Sequence, residues 1–168
     1  MLCVIAKLPS EANDKLSRLR ESVMPQVHFP SSLYAHITLA TYLPEDTKAF
    51  IASCRKILRN VRSFSVRYEK LEVLAETSII IAKPAPSEPL RFLHDRINSD
   101  FGEFLDHWTR GDTWYPHTTL LNDPDADLNA VCDEMQKHFV PFDVSIEQVE
   151  FSQVEGNRYT IVETVRLL

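Results

Sequence analysis

Two histidines in this chain sit in near-identical surroundings, Tyr34-Ala35-His36-Ile37-Thr38-Leu39 and Tyr115-Pro116-His117-Thr118-Thr119-Leu120. The sequence has only six histidines and five tyrosines, so matching both at one spacing is not expected from chance. On a strand, alternate side chains share a face. Tyr34, His36 and Thr38 would then point one way while Ile37 and Leu39 enter the core. Tyr115, His117 and Thr119 repeat the arrangement, with Leu120 on the opposite face. Each copy presents an imidazole and a hydroxyl about 7 Å apart along one strand face. An imidazole titrating near pH 6.5 serves as base or acid close to neutrality. Two of them flanking one phosphorus atom supply a base for the attacking oxygen and an acid for the leaving oxygen. Thr38 and Thr119 would donate to the nonbridging oxygens, where a well-aimed donor is worth about 3 kcal/mol in the transition state.

A single His-x-Thr on a strand is ordinarily a satisfied polar or surface pair. The duplication moves the reading toward chemistry, because packing gives little reason to keep two polar residues on one face of each strand. Tyr34 and Tyr115 are read as orienting the imidazoles, lining the cleft or packing. Trp114, beside the second motif, is a candidate to stack on a base; a buried structural indole is the alternative. Arg110 is a candidate phosphate or ribose contact, with a solvated loop charge as the alternative. His28, in Pro25-Gln26-Val27-His28-Phe29-Pro30, is read as a loop residue at the cleft rim. His94, His107 and His138 are assigned to helices, without partners at ligand spacing. With no His-x-x-x-His, Cys/His cluster, Gly-rich phosphate loop or Gly-x-Ser-x-Gly elbow, neither a metal nor a cofactor is expected.

The elements that must position these residues are themselves duplicated. Cys3–Lys7 is echoed by Ile79–Lys83, and Pro9-Ser10-Glu11 by Pro86-Ser87-Glu88. Helical patterns follow, with Leu16, Leu19 and Val23 on one face in the first half and Leu90, Leu93, Ile97, Phe101 and Phe104 in the second. Ser10 and Ser87 stand where N-caps belong. After each motif come a proline and an acid (Pro44-Glu45, Pro124-Asp125), then a second amphipathic helix. Its apolar face is Phe50, Cys54, Ile57 and Leu58 in one copy, and Leu128, Val131 and Met135 in the other. Phe64–Val73 and Phe142–Phe151 share Phe, Val, Glu and Glu at one spacing and alternate as half-buried strands do. Each turns back as a hairpin, into Thr77–Lys83 and Arg158–Leu168. The reading is one α+β domain over residues 1–168, built from a β-α-β-α-β unit used twice, with repeats of approximately 1–76 and 77–168. The two repeats form pseudo-symmetric lobes, each a mostly antiparallel sheet with helices outside, around a central cleft.

A chain 44% apolar can bury a full core. No apolar run approaches the ~20 residues of a membrane span, and Met1–Leu8 reads as a first strand rather than a signal peptide. Cys3, Cys54 and Cys132 lack metal or redox spacing and read as core residues in a reducing compartment, so a cytoplasmic protein is expected. The net charge of −6 argues against a long nucleic-acid track, which would have to be assembled from scattered residues such as Arg55, Lys56, Arg59 and Arg62. A small nucleotide remains compatible with it, and the chain is expected to act as a monomer.

His36-Ile37-Thr38-Leu39 and His117-Thr118-Thr119-Leu120, about 80 residues apart in a small duplicated α+β chain, resemble the two-histidine (2H) phosphoesterase superfamily. That group includes RNA 2′,5′-ligase-like proteins and cyclic nucleotide phosphodiesterases. The resemblance spans the whole order of elements, but its specific part is the two tetrapeptides. It implies a bilobal fold with both His-Thr pairs meeting in the cleft, and metal-independent opening of a 2′,3′-cyclic phosphate on a nucleotide or RNA end. It leaves open 2′,5′ RNA ligation or hydrolysis, and action on a cyclic phosphate of ADP-ribose. From the residues themselves, a nucleotide-binding module without turnover is a further alternative.

Overall fold

The computed structural model describes residues 1–23, 34–43, 46–156 and 158–168; His28, Pro44 and Glu45 lie outside the described residues. The first half runs β1 (Leu2–Lys7), α1 (Ser10–Val23), β2 (His36–Tyr42), α2 (Thr47–Leu58) and β3 (Phe64–Val73). The second runs β4 (Ile79–Pro84), α3 (Glu88–Asn98), β5 (Thr118–Asn122), α4 (Leu128–His138), β6 (Phe142–Ile146), β7 (Gln148–Glu155) and β8 (Arg158–Arg166). Local sequence accounts for much of this. Ser87 caps α3 by accepting the Leu90 N–H, with Pro89 in the first turn, where its missing donor costs nothing. Asp46 and Asp127 cap α2 and α4 in the same way. Ser10 departs from expectation: it is the first helical residue of α1, and the Pro9 carbonyl accepts the Asn13 N–H at 3.1 Å.

The strands form two four-stranded antiparallel sheets, ordered β2-β1-β7-β8 and β5-β4-β3-β6. The two orders correspond strand by strand for β2 and β5, and for β1 and β4. The third strand of each repeat, however, leaves its own repeat: β3 pairs with β4, and β7 pairs with β1. The first helix of each repeat crosses over too, α1 packing on β5 and α3 on β2. Spatial lobes and sequence repeats therefore interlock. Phe142–Phe151, expected as one strand, divides at Glu147, with β6 paired to β3 in one sheet and β7 to β1 in the other. Its apolar positions change phase at the break, from Phe142, Val144 and Ile146 to Val149 and Phe151, with the polar pair Glu147-Gln148 between.

One core runs through both lobes, from Leu2, Val4, Ile37 and Leu39 to Ile80, Ala82, Leu120 and Leu121. The expected faces of α2 and α4 enter it at Phe50, Cys54 and Leu58, and at Cys132 and Met135. Phe101 and Phe104 also reach the core, but not as part of α3, which stops at Asn98. They lie at a 3₁₀ turn (Gly102–Phe104) and set their rings edge-on to Tyr42, itself stacked on Phe50 at 4.0 Å. No helix among the described residues is long and apolar enough to cross a membrane.

Candidate active site

β2 and β5 are edge strands of their two sheets, and they meet. The Thr118 hydroxyl donates to the His36 carbonyl across that meeting at 2.9 Å, and the Tyr68 hydroxyl lies 2.5 Å from the same Thr118 oxygen. Both side chains are buried, so this chain of hydrogen bonds is shielded from water and fixes one motif strand against the other. Trp114 makes a second tie, its indole N–H donating to the Thr38 carbonyl at 2.8 Å.

Each strand carries the same irregularity. The register slips between Val4 and Ile5 where β1 meets β2, and between Ile80 and Ile81 where β4 meets β5. Thr38 consequently stands opposite Ile5, and Thr119 opposite Ile81, in matching positions. Such bulges re-aim side chains at the rims of sheets. Ile37, Leu39 and Leu120 are buried while His36, His117, Thr38 and Thr119 stay partly exposed, as the alternation requires. The regular ladder is shorter than the sequence suggests. β2 starts at His36 and β5 at Thr118, so Tyr34, Tyr115 and His117 precede their strands.

The two imidazoles are held alike. His36 Nδ1 donates to the Tyr34 carbonyl at 2.8 Å, and His117 Nδ1 to the Tyr115 carbonyl at 2.7 Å. A carbonyl accepts only, so Nδ1 carries the proton and the neutral ring keeps its lone pair on Nε2. Neither Nε2 has a partner among the described residues. Burial and the nearby His117 push the His36 pKa down to about 4. Burial lowers His117 as well, opposed by its bond to the Tyr115 carbonyl. Both rings are thus neutral near pH 7 without a ligand, and close enough for a charge on one to disfavour charge on the other.

Around each histidine stands a matching lysine, tyrosine and glutamate. The Tyr34 hydroxyl donates to Glu150, whose other oxygen accepts from Lys7 Nζ at 3.0 Å; that ammonium lies 4.6 Å from the Tyr34 ring centre. The Tyr115 hydroxyl donates to Glu72 and accepts from Lys83, whose ammonium lies 4.3 Å from the ring centre. Lys70 adds a 2.6 Å ion pair to Glu72. Burial works against the Glu72 charge, but the bonds from Lys70 and Tyr115 and the lysine charges outweigh it and hold its pKa below the ordinary value. The sequence repeat already paired Lys7 with Lys83 and Glu72 with Glu150. What it lacked was the exchange of β3 and β7, which carries each glutamate to the other repeat's tyrosine.

Two expected binding residues are placed differently. Trp114 is only 6% exposed and one ring face is stacked on His94 at 3.9 Å, which gives it a structural role, while it also lines the cavity beside Thr38 and His117. The Arg110 guanidinium donates to the Glu103 and Leu105 carbonyls at 3.2 and 2.6 Å, which makes it a clamp on its own loop. Trp108, overlooked in the sequence, is 62% exposed and lines a cavity of about 400 Å³ with Thr38, Tyr115 and His117. Its neighbour Thr109 is pinned: the hydroxyl accepts the Thr41 N–H at 3.0 Å and the carbonyl accepts His94 Nε2–H at 2.9 Å. His94 therefore has partners, and His107 lies in a 3₁₀ turn rather than a helix. Arg55 is committed to Glu163 through a two-pronged contact at 3.0 and 2.6 Å, which removes it from any basic track.

Asp123, Asp125 and Asp127 alternate ahead of α4, but Asp123 accepts the Asp125 N–H and Asp127 the Ala130 N–H. Among the described residues no group of three or more His, Cys, Asp or Glu side chains could hold a metal ion.

A family model described as the 2'-5' RNA ligase superfamily matches residues 8–158. Among solved structures, E. coli LigT complexed with 3'-AMP is similar at 18% identity and a TM-score of 0.74, covering 99% of this chain and 97% of that one. E. coli LigT complexed with NADP+ is similar at 18% identity and a TM-score of 0.73, covering 99% and 96%. TT0787 of Thermus thermophilus follows at 19% identity and 0.70, covering 99% and 97%. At such identities the likeness is one of fold. No curated protein matches the sequence.

Proposed function

The chain belongs to the 2'-5' RNA ligase superfamily, and from that premise we propose a metal-independent phosphoesterase that opens 2′,3′-cyclic phosphodiesters of nucleotides or RNA ends. The observation that supports this best is the matched presentation of His36 and His117, each with Nδ1 spent on a carbonyl and Nε2 available, on motif segments tied together by Thr118. One Nε2 takes a proton from the attacking water as its oxygen bonds to phosphorus. The P–O bond to the 2′ or 3′ oxygen breaks, and that oxygen takes a proton from the other ring, so water is added across one ester bond. The acid must be protonated beforehand, against the effect of burial. The anionic diester arriving between the rings favours that proton. Thr38 and Thr119 donate to the nonbridging oxygens, and the exposed Trp108 face takes the base by stacking, worth ~1–3 kcal/mol.

The three free cysteines are buried, which suits a reducing compartment, and we place the protein in the cytoplasm as a monomer. With a net charge of −6, it grips one or two phosphates rather than a track, and salt dependence is shallow.

The test is a panel of 2′,3′-cyclic mononucleotides, cyclic-phosphate-ended RNA and 2′,5′-linked dinucleotides, with chelator present. Turnover of the cyclic phosphates is expected. Turnover of the 2′,5′ linkages alone would replace this reading by RNA 2′,5′ ligation or hydrolysis. Nucleotide-induced stabilisation without product would make the protein a binding module. Activity lost to chelation and restored by zinc or manganese would overturn metal independence.

A further inference from the structure

We propose that Glu150 and Glu72 are positioning residues, each exchanged from the opposite repeat, which hold the tyrosine two residues before a site histidine and thereby fix that histidine's tautomer and direction. The proposal rests on the two-histidine reading above and names what keeps those rings poised.

Four observations carry it. The carbonyls that accept from His36 and His117 belong to Tyr34 and Tyr115, and both lie ahead of the regular strands, where no sheet ladder fixes their angle. On the Tyr34 side the Ala35 N–H of the same peptide donates to Asn13 Oδ1 at 2.9 Å, whereas Pro116 offers no such donor; both tyrosines are anchored at the far end of the side chain, on Glu150 or on Glu72. Glu150 is only 2% exposed, and a buried carboxylate is a poor device for stability alone, since apolar replacements of buried ion pairs are often neutral or better. Finally, the arrangement occurs twice with the same three residue types. Each glutamate stands opposite the isoleucine that faces the motif threonine, Glu150–Ile5–Thr38 and Glu72–Ile81–Thr119.

The lysines complete the device. Lys7 and Lys83 neutralise the carboxylates and sit over the tyrosine rings, so each phenol is held at its hydroxyl and on its face. The side-chain anchor sets the tyrosine backbone, the carbonyl sets the imidazole Nδ1–H, and Nε2 is left without a partner among the described residues. This is the logic by which an acceptor behind a catalytic imidazole holds it in the working tautomer. Here the acceptor is a carbonyl, and the carboxylate acts one residue further back.

The experiment compares Tyr34→Phe, Glu150→Gln and Glu150→Ala with their counterparts Tyr115→Phe, Glu72→Gln and Glu72→Ala. Imidazole ¹⁵N shifts report the tautomer of His36 and His117 without needing turnover. Wild type is expected to show the Nδ1–H form at both. Tyr34→Phe keeps the ring but loses the anchor, and should give a tautomer mixture at His36 while His117 is unchanged; Tyr115→Phe should do the reverse. Glutamine still accepts the phenol proton, so Glu150→Gln should retain the wild-type tautomer where Glu150→Ala does not. In turnover, the anchor variants should lower kcat by up to about 10²-fold, the scale of a misplaced catalytic group, with little change in KM. Wild-type tautomers in folded Tyr34→Phe and Tyr115→Phe would overturn the proposal. If alanine variants fail to fold, the phenylalanine and glutamine variants still decide it. If the wild type turns over nothing in the substrate panel, the catalytic reading fails, and the tautomer measurement still tests the positioning.

Discussion

Replacing Thr118 by valine keeps the shape of the side chain and removes one oxygen from the seam between the lobes. Thr118 is 1% exposed and Tyr68 fully buried. Because the His36 carbonyl can only accept, Thr118 donates to it and Tyr68 donates to Thr118. In Thr118→Val the Tyr68 hydroxyl therefore loses its acceptor inside the protein, which costs about 1–3 kcal/mol. The lost bond to the His36 carbonyl adds about 0.5–1.5 kcal/mol. The expected loss is about 1.5–4.5 kcal/mol, at roughly 2–4 °C of Tm per kcal/mol for a domain of this size. Tyr68→Phe alone leaves the Thr118–His36 bond in place and should cost only about 0.5–1.5 kcal/mol. In the Thr118→Val background the same change removes the orphaned hydroxyl and should be neutral or stabilising. Urea unfolding of the four proteins followed by circular dichroism closes the cycle, with a coupling of about 1–3 kcal/mol expected. Turnover should fall in Thr118→Val as well, because the bond holds the His36 segment against β5. A Thr118→Val protein within about 0.5 kcal/mol of wild type, or a Tyr68→Phe change costing the same in both backgrounds, would refute this account of the seam.

His36→Ala and His117→Ala should each lower turnover about 10²–10⁴-fold. The double mutant should be little worse than either, and near-wild-type kinetics in one folded single mutant would refute the pairing. Stability should fall as pH drops from about 6.5 toward about 4, because His36 takes up its proton near pH 6.5 when unfolded but only near pH 4 when folded. The unfolded chain binds more protons in that window, which lowers stability by up to about 3 kcal/mol for this group. His36→Gln should flatten the pH dependence of unfolding there, and an unchanged slope would count against it. Trp108→Ala should weaken binding of a cyclic mononucleotide by ~1–3 kcal/mol, read as KM or by calorimetry, whereas Arg110→Ala should leave that binding unchanged and loosen only its own loop.

The repeat, the His-Thr faces and the Ser87 cap are local properties, and the sequence alone determined them. Alternation at i and i+2 places His36 and Thr38 together and sends Ile37 and Leu39 inward whatever the strand pairs with. A serine ahead of Glu88 and Pro89 caps α3 for the same local reason. Tertiary structure decided what alternation leaves open, the neighbour across each face. Phe142–Phe151 reads as a single strand, its phase slip at Glu147-Gln148 being compatible with a bulge; only the pairing, with β3 and then with β1, shows that its two halves join different sheets. The same exchange delivers Glu72 to Tyr115 and Glu150 to Tyr34, contacts spanning 43 and 116 residues of sequence. Adjacency to the motif singled out Trp114 in the sequence and passed over Trp108. The fold buries Trp114 against His94 and leaves Trp108 exposed, since burial is settled by what packs on a ring from elsewhere in the chain.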